Sequence, residues 1–241
     1  MRMLRGISVV VAVLVAVLGL AACSRSIAGT AVADPSGTAA AASTTGAEPA
    51  SSRTDSRTST DGTGVVVGKA GAGIPTVTVY LDFLCPACAE FSSKYERALY
   101  AAADAGRLTV IYRPVTFLDG QSVSRTYSSR SAAVLLALAN AGSSASVIDR
   151  FIYGLFAIQP KEGGTADLST ERLAEVAAAS GAADSVIHRI QLGTTGVDGK
   201  AVGAANLKLL TAAGGTGTPT VLHDGAQVAL TDPSWLQKIL G

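Results

Sequence analysis

The sequence predicts an α/β fold in which a helical insertion separates a strand–helix–strand unit from a C-terminal hairpin and helix. Two observations lead to this prediction. Two β-branched runs flank a helical pattern between residues 76 and 112, and a long Ala- and Leu-rich stretch with helical spacing follows them. A strand, a helix and a second strand in this order are typical of a parallel pair of strands.

Composition sets the broad class of protein. The chain has 241 residues, of which 48% are hydrophobic, and its formal net charge is +1. The length and the hydrophobic content are enough for one domain with a packed core and some additional segments. Acidic and basic residues are interspersed without a basic block, so the electrostatic footprint of a phosphate-binding surface is missing. We therefore expect no nucleic-acid partner.

The N-terminal segment has the pattern of an export signal. Arg2 and Arg5 precede an uninterrupted apolar run from Ile7 to Leu20. The run ends in Leu20-Ala21-Ala22-Cys23, which resembles the lipobox of bacterial lipoproteins. That resemblance implies a signal peptide over residues 1–22 and a diacylglyceryl group on the sulfur of Cys23.

An uncleaved membrane anchor, or a plain secretory signal followed by a coincidental cysteine, remains an alternative for this segment. All three interpretations place the rest of the chain outside the cytoplasm. With lipidation at Cys23, the protein is expected on the extracytoplasmic face of the cell membrane.

A linker is predicted next, over residues 23–64. Beyond Cys23 it consists mainly of Ala, Ser, Thr and Gly and has almost no large apolar side chain. Such a segment cannot bury enough surface to fold, and its typical end-to-end span is about 35 Å. The folded domain is predicted to occupy residues 65–241.

The first half of that domain contains the strand–helix–strand unit. Thr76–Leu81 is β-branched and aromatic, follows Gly73-Ile74-Pro75, and predicts a buried strand. Apolar residues at intervals of three and four predict a helix from about Pro86 to Gly106. A second strand is predicted over Leu108–Tyr112.

The middle of the domain is predicted to be a helical insertion at about residues 120–210. Its helices are marked by Ala- and Leu-rich runs with helical spacing, separated by glycines and Pro160. These runs are Ser131–Asn140, Val147–Phe156, Thr170–Ser180 and Asp198–Leu210.

The C-terminal part is predicted to return to strands. Pro219–Leu222 and Gln227–Leu230 flank Asp224-Gly225, a dipeptide that favours a tight hairpin turn. A last helix is predicted to begin at Asp232 as N-cap, with Pro233 in its first position.

Cys85 and Cys88 are the candidate reactive residues. Two cysteines three positions apart at a helix start have Cα atoms about 5–6 Å apart, which permits a disulfide. Free N–H groups of the first turn would stabilise a thiolate at Cys85, whereas Cys88 lies inside the helix and is shielded. Pro86 suits the first helical position and stiffens the loop. Cys85 is thus the expected attacking or attacked sulfur.

Metal binding and a purely structural disulfide are the alternatives for this pair. A zinc site takes about four ligands, but the chain has no second CxxC, and His188 and His223 stand apart. A disulfide that closes so short a loop would stabilise the fold only slightly, because it removes little entropy from the unfolded chain. We therefore expect no metal or other cofactor besides a redox-active Cys85–Cys88 disulfide.

Two motifs carry a family resemblance. Asp82-Phe83-Leu84-Cys85-Pro86-Ala87-Cys88, with Phe91 on the next turn, resembles the DFxCPxC active site of DsbA-like proteins in the thioredoxin superfamily. Gly217-Thr218-Pro219-Thr220 is similar to the GTPT segment that carries the cis-proline of that family. The resemblance spans roughly residues 65–241 and implies a thioredoxin fold with an inserted helical domain.

The resemblance also implies a site and an activity. Pro219 would be cis and lie beside the CxxC, and the client groove would include Thr218, Pro219, Pro86 and Ala87. The chain would be a thiol–disulfide oxidoreductase that introduces disulfides into exported cysteine-containing proteins and is recharged by a membrane redox partner. A monomer is expected.

Several alternatives remain open at this point. The same fold serves reductases and isomerases, and a lipoprotein binding module could keep the groove without turnover. Many strongly oxidising members have His where this chain has Ala87, so a less stabilised thiolate is expected. Asp82 could tune the cysteines or act as a local cap.

Overall fold

A computed structural model describes residues 58–71 and 73–241. The predicted signal peptide, Cys23 and the predicted linker up to residue 57 lie outside these residues. The described elements, including one 3-10 turn, follow in chain order: β1 (Ser59–Thr60), β2 (Val65–Val67), β3 (Thr76–Leu81), α1 (Pro86–Asp104), β4 (Thr109–Pro114), the 3-10 turn (Phe117–Gln121), α2 (Tyr127–Asn140), α3 (Ala145–Ala157), α4 (Thr170–Ala179), α5 (Asp184–Gln191), α6 (Gly199–Ala212), β5 (Thr220–His223), β6 (Ala226–Gln227) and α7 (Trp235–Leu240).

The strands form one mixed sheet in the order β1-β2-β4-β3-β5-β6. β3 and β4 are parallel, as the strand–helix–strand pattern predicts, and the other neighbours are antiparallel. Val77 and Val79 of β3 are 0% exposed, because β3 lies between β4 and β5 and is covered by helices. The sheet is therefore built around β3, and the chain leaves its carboxyl end at Asp82.

The pairing of β5 with β3 positions the C-terminal motif. Tyr80 of β3 pairs with Thr220 of β5 in antiparallel register. Two residues further along β3 therefore lie opposite two residues earlier than Thr220, which brings Thr218 to the level of Asp82. The register alone thus places the Thr218–Pro219 segment beside the loop that carries Cys85.

The hairpin turn is where the sequence predicts it. Asp224 and Gly225 have φ of 50° and 81°, the left-handed values that a two-residue hairpin turn requires. β6 is shorter than its predicted range, although Val228 still donates its N–H to the carbonyl of Val221 at 2.9 Å.

The helical insertion lies between β4 and β5 and contains five helices, α2 to α6. Four correspond to the predicted segments, but α5 lies between two of them, where no helical segment is predicted. It has only eight residues, of which Val186 and Ile190 are buried, and this is too short for a clear periodic signal. α2 also begins earlier than predicted, at Tyr127. The prediction misses its first turn because the buried residues there are mainly serines, which give no apolar pattern.

Two predicted boundaries are wrong. The linker was expected to reach residue 64, but Ser59 and Thr60 already pair with β2. This strand is held by backbone pairing and by a turn in which Asp61 accepts from Gly64 N at 2.7 Å, so hydrophobicity does not reveal it. The last helix starts at Trp235 rather than after Asp232, whose carboxylate instead accepts from Ser234 N at 2.9 Å.

A buried carboxyl lies in the core between α1 and the sheet. Glu96 of α1 is 1% exposed and accepts a hydrogen bond from the Tyr112 hydroxyl of β4 at 2.5 Å. Burial raises the pKa of Glu96 to about 8, although the Tyr112 hydrogen bond opposes this. Glu96 is therefore a neutral acid in the folded protein at neutral pH.

We expect the change in free energy of unfolding caused by Glu96→Gln to be more favourable at pH 8 than at pH 5. Between pH 4.5 and about 8 the folded chain keeps a proton on Glu96 that the unfolded chain has lost. Stability therefore falls as pH rises through this window, by up to about 1.4 kcal/mol per pH unit. Urea denaturation at both pH values measures the effect. The exposed Glu90→Gln on the same helix is the control, and an equal effect of Glu96→Gln at both pH values would contradict the assignment.

Candidate active site

The two cysteines lie where the chain turns from β3 into α1. Cys85 is the N-cap of α1 and donates its N–H to the carbonyl of Asp82 at 3.0 Å. Pro86 occupies the first helical position, as predicted, and its side chain and that of Ala87 are exposed. Both thiols are free, and Cys85 is 8% exposed while Cys88 is 1% exposed. The loop thus presents one sulfur near the surface and keeps the other inside.

The pKa of the Cys85 thiol is lowered from 9.0 to about 6. The thiol of Cys88 contributes most to this shift by hydrogen bonding, and the Thr218 side chain and the backbone N–H groups of Cys88 and Ala87 add to it, while burial opposes it. No charged side chain is among these groups. At neutral pH Cys85 is therefore mainly a thiolate, despite Ala87 in the position where a His is common in the family.

The pKa of Cys88 is raised well above 9.0. Burial is the main cause, and the neighbouring Cys85 thiolate raises it further through its hydrogen bond and its charge. Cys88 therefore remains a protonated thiol at neutral pH and donates to Cys85. The two thiols share a loop but differ widely in acidity.

The second wall of the site comes from the segment before β5. The Thr218–Pro219 peptide bond is cis, as the resemblance implies. Cys85 Sγ lies 3.3 Å from the carbonyl oxygen of Thr218, to which its S–H can donate. The Thr218 hydroxyl is buried and has no hydrogen-bond partner within the described part of the chain, so it is available to a thiolate at Cys85.

Asp82 is a buried cap that joins three segments. It is 0% exposed, and its carboxylate accepts from Leu84 N at 2.9 Å, from Leu118 N at 3.1 Å and from the Ser128 hydroxyl at 2.5 Å. Burial raises the pKa of Asp82 to about 6, and these hydrogen bonds oppose the rise. Its contacts are those of the local capping role, extended to the 3-10 turn and α2.

Sequence reasoning missed Gln159, which follows α3. Its Nε2 atom donates to the carbonyl oxygens of Phe83 at 2.9 Å and of Cys85 at 3.0 Å. A glutamine before Pro160 has no distinguishing signal in a single sequence, and its two acceptors lie 76 and 74 residues away.

The other titratable candidates lie elsewhere. His188 is exposed on α5, and His223 Nε2 lies 3.4 Å from the exposed carboxylate of Asp224. Within residues 58–71 and 73–241, no three His, Cys, Asp or Glu side chains are grouped so that they could hold a metal ion. In the same residues, no helix is both long enough and apolar enough to cross a membrane.

Comparison with known proteins places this chain in a family. A family model described as thioredoxin matches residues 60–241, which include every described strand except the first residue of β1. The thiol–disulfide oxidoreductase MdbA from Corynebacterium diphtheriae is 25% identical in sequence, with a TM-score of 0.65 over 77% of this chain and 93% of that one. DsbA from Mycobacterium tuberculosis is 30% identical, with a TM-score of 0.60 over 74% of this chain and 91% of that one.

A third relative is a larger protein. The serine/threonine-protein kinase PknE of Mycobacterium tuberculosis is 30% identical over 186 residues, which are 74% of this chain and 31% of the kinase. The chain thus spans about a third of the curated relative that it matches.

The family match, the mixed sheet with its helical insertion and the DsbA and MdbA neighbours agree with the paired thiols at the start of α1. This chain belongs to the thioredoxin family, and within it is similar to the DsbA-like thiol–disulfide oxidoreductases.

Proposed function

We propose that this protein oxidises pairs of cysteines in exported client proteins, using Cys85 and Cys88 outside the cytoplasm. The observation that carries the proposal is the difference in acidity between the thiols, with the pKa of Cys85 near 6 and that of Cys88 well above 9.0. Thiol–disulfide exchange itself follows from the family, and the direction of electron flow is what this difference addresses.

The oxidising cycle starts from the Cys85–Cys88 disulfide. A client thiolate attacks Cys85 Sγ, the bond between the two sulfurs breaks, and Cys88 leaves and takes up a proton. A second client thiolate then attacks the client sulfur of the mixed disulfide and releases Cys85 as a thiolate. Two electrons pass to the cysteine pair, and a membrane redox partner removes them to restore the disulfide.

Both chemical properties of the pair favour this direction. Cys85 is a good leaving group because its thiolate is stabilised, which assists the second step. Cys88 is buried and protonated, so it is a poor nucleophile for returning the mixed disulfide to the start. In the mixed disulfide, release of an oxidised client is therefore the faster outcome.

The stability of the reduced form favours the same direction of electron flow. The Cys85 thiol ionises near pH 6 in the folded protein and near 9 when unperturbed. The folded reduced state thus gains stability as pH rises from about 6 to 9 and loses it as pH falls through 6. Stabilising the reduced form makes the disulfide a stronger oxidant.

Client binding is assigned to the surface around Cys85. Pro86 and Ala87 are exposed beside it, and the Thr218–Pro219 segment forms the opposite side. The Thr218 carbonyl lies 3.3 Å from the reactive sulfur, so a client chain joined to Cys85 must pass this backbone. These four residues are the proposed client contacts.

Trapping tests whether the site turns over. Cys88→Ala leaves Cys85 as an attacking thiol without its partner, and we expect it to accumulate mixed disulfides with client proteins. Non-reducing gels after acid quenching and alkylation would show them, and Cys85→Ala is the matched control that should form none. A Cys88→Ala protein without adducts under both oxidising and reducing conditions would favour a binding module and overturn the proposal.

The oxidation state of the wild-type pair in cells tests the direction. We expect Cys85 and Cys88 to be mostly disulfide-bonded, because an oxidase awaits its client in the oxidised form. The measurement is the gel shift from a bulky maleimide added before and after reduction. A pair that is mostly reduced would indicate a reductase or isomerase of the same fold.

The proposed location rests on the leader, which lies outside the described residues. Lipidation at Cys23 would hold the domain on the outer face of the membrane through the linker. We expect a labelled fatty acid to be incorporated into the wild-type protein and not into Cys23→Ser, as read after immunoprecipitation from growing cells. Absence of label from the wild-type protein would contradict the lipid anchor and favour an uncleaved apolar segment.

A further inference from the structure

Gln159 ties the helical insertion to the loop that carries Cys85. It lies just beyond α3 and is partly buried, and its Nε2 donates to the carbonyls of Phe83 and Cys85 at 2.9 and 3.0 Å. These carbonyls stand on either side of Leu84. One side-chain amide thus fixes the peptide planes at both ends of the connection between β3 and α1.

The bond to the Cys85 carbonyl acts at the first turn of α1. The same oxygen accepts from the N–H groups of Cys88 at 3.0 Å and Ala89 at 3.3 Å. Gln159 therefore helps to orient the carbonyl from which α1 begins. The direction of the N–H groups of Ala87 and Cys88, which stabilise the Cys85 thiolate, depends on that orientation.

The same end of α3 supports the loop by packing. The Phe83 ring is 6.3 Å from that of Phe151 and 5.3 Å from that of Phe156, both on α3. Asp82, in the same loop, is bonded to Leu118 and Ser128. The insertion thus holds the loop at several points, and Gln159 bonds directly to the Cys85 carbonyl.

The two redox forms need this support unequally. In the disulfide form, a covalent bond joins Cys85 Sγ to Cys88 Sγ and fixes the loop by itself. In the dithiol form that bond is absent, and the Cys85 thiolate is held by hydrogen bonds from the Cys88 thiol, the Thr218 side chain and the helix N–H groups. Hydrogen bonds from Gln159 should therefore stabilise the dithiol form more than the disulfide form.

We propose that Gln159 is a positioning residue through which the helical insertion sets the redox potential of the Cys85–Cys88 pair. It does so by holding the loop in the conformation that stabilises the Cys85 thiolate. The reaction that it affects is the two-electron reduction of the Cys85–Cys88 disulfide by two thiols, such as two glutathione molecules, which become one disulfide. The protein gains a thiolate at Cys85 and a thiol at Cys88, and one proton is released to solvent. This role is the same for an oxidase and a reductase.

The test compares Gln159→Met with wild type. Methionine has a similar length and volume but no N–H donor, and Gln191→Met, an exposed glutamine at the end of α5, is the matched control. Gln159→Glu is a second variant, which keeps the shape but offers only acceptors to two carbonyls. Each purified protein is equilibrated with reduced and oxidised glutathione, and the thiolate is titrated by its absorbance at 240 nm.

For Gln159→Met we expect the equilibrium constant for reduction by glutathione to fall about five- to tenfold, the effect of about one net hydrogen bond. The midpoint of the thiolate titration should move upward from about 6, and Gln159→Glu should shift both quantities further. Thermal stability should fall more in the dithiol form than in the disulfide form, while Gln191→Met should match wild type in all three.

A purely structural role would give a different result. Gln159→Met would then lower the thermal stability of both redox forms equally and leave the glutathione equilibrium and the titration midpoint unchanged. That outcome would overturn the proposal. It would leave the trapping of clients by Cys88→Ala unaffected, so the two proposals can fail separately.

Discussion

The pairing of β5 with β3 is the constraint on which the site depends. Because Tyr80 lies opposite Thr220, the Thr218–Pro219 segment must meet the loop after β3, although 133 residues separate Cys85 from Thr218. The start of α1 by itself offers Cys85 only N–H groups. The segment before β5 adds the carbonyl and the hydroxyl of Thr218, so that polar groups from two parts of the chain lie near the Cys85 sulfur.

The difference between the two thiols follows from where each lies on one helix. Cys85 is the N-cap, where unpaired N–H groups collect, and Cys88 is one turn inside, where α1 faces the core. Burial raises the pKa of Cys88, and its retained proton is then the strongest stabiliser of the Cys85 thiolate. The asymmetry therefore reinforces itself, and no charged side chain is among the groups that lower the pKa of Cys85.

Local patterns in the sequence predict the parts of the site that are local. β3, the start of α1 at Pro86 and the hairpin turn at Asp224-Gly225 are readable because each depends on neighbouring residues. The cis peptide before Pro219 follows from the family resemblance rather than from any pattern in this chain.

Other features depend on contacts between distant segments and could not be predicted in this way. The register of β5 against β3, the buried pair of Glu96 and Tyr112 and the contact of Gln159 with Cys85 join residues that have no pattern in common. β1 is missed for a related reason, because a strand of two polar residues is held by its partner's backbone.

The positions of these distant contacts give the helical insertion a chemical role. Asp82 bonds to the 3-10 turn and α2, and Gln159, just beyond α3, bonds to the backbone of the same loop. Phe83, also in the loop, packs on α3. A loop held at so many points stays in place while sulfur–sulfur bonds form and break. The free energy of thiol–disulfide exchange then depends on how strongly the conformation of that loop stabilises a thiolate at Cys85. Helices outside the strand–helix–strand unit help to determine this conformation.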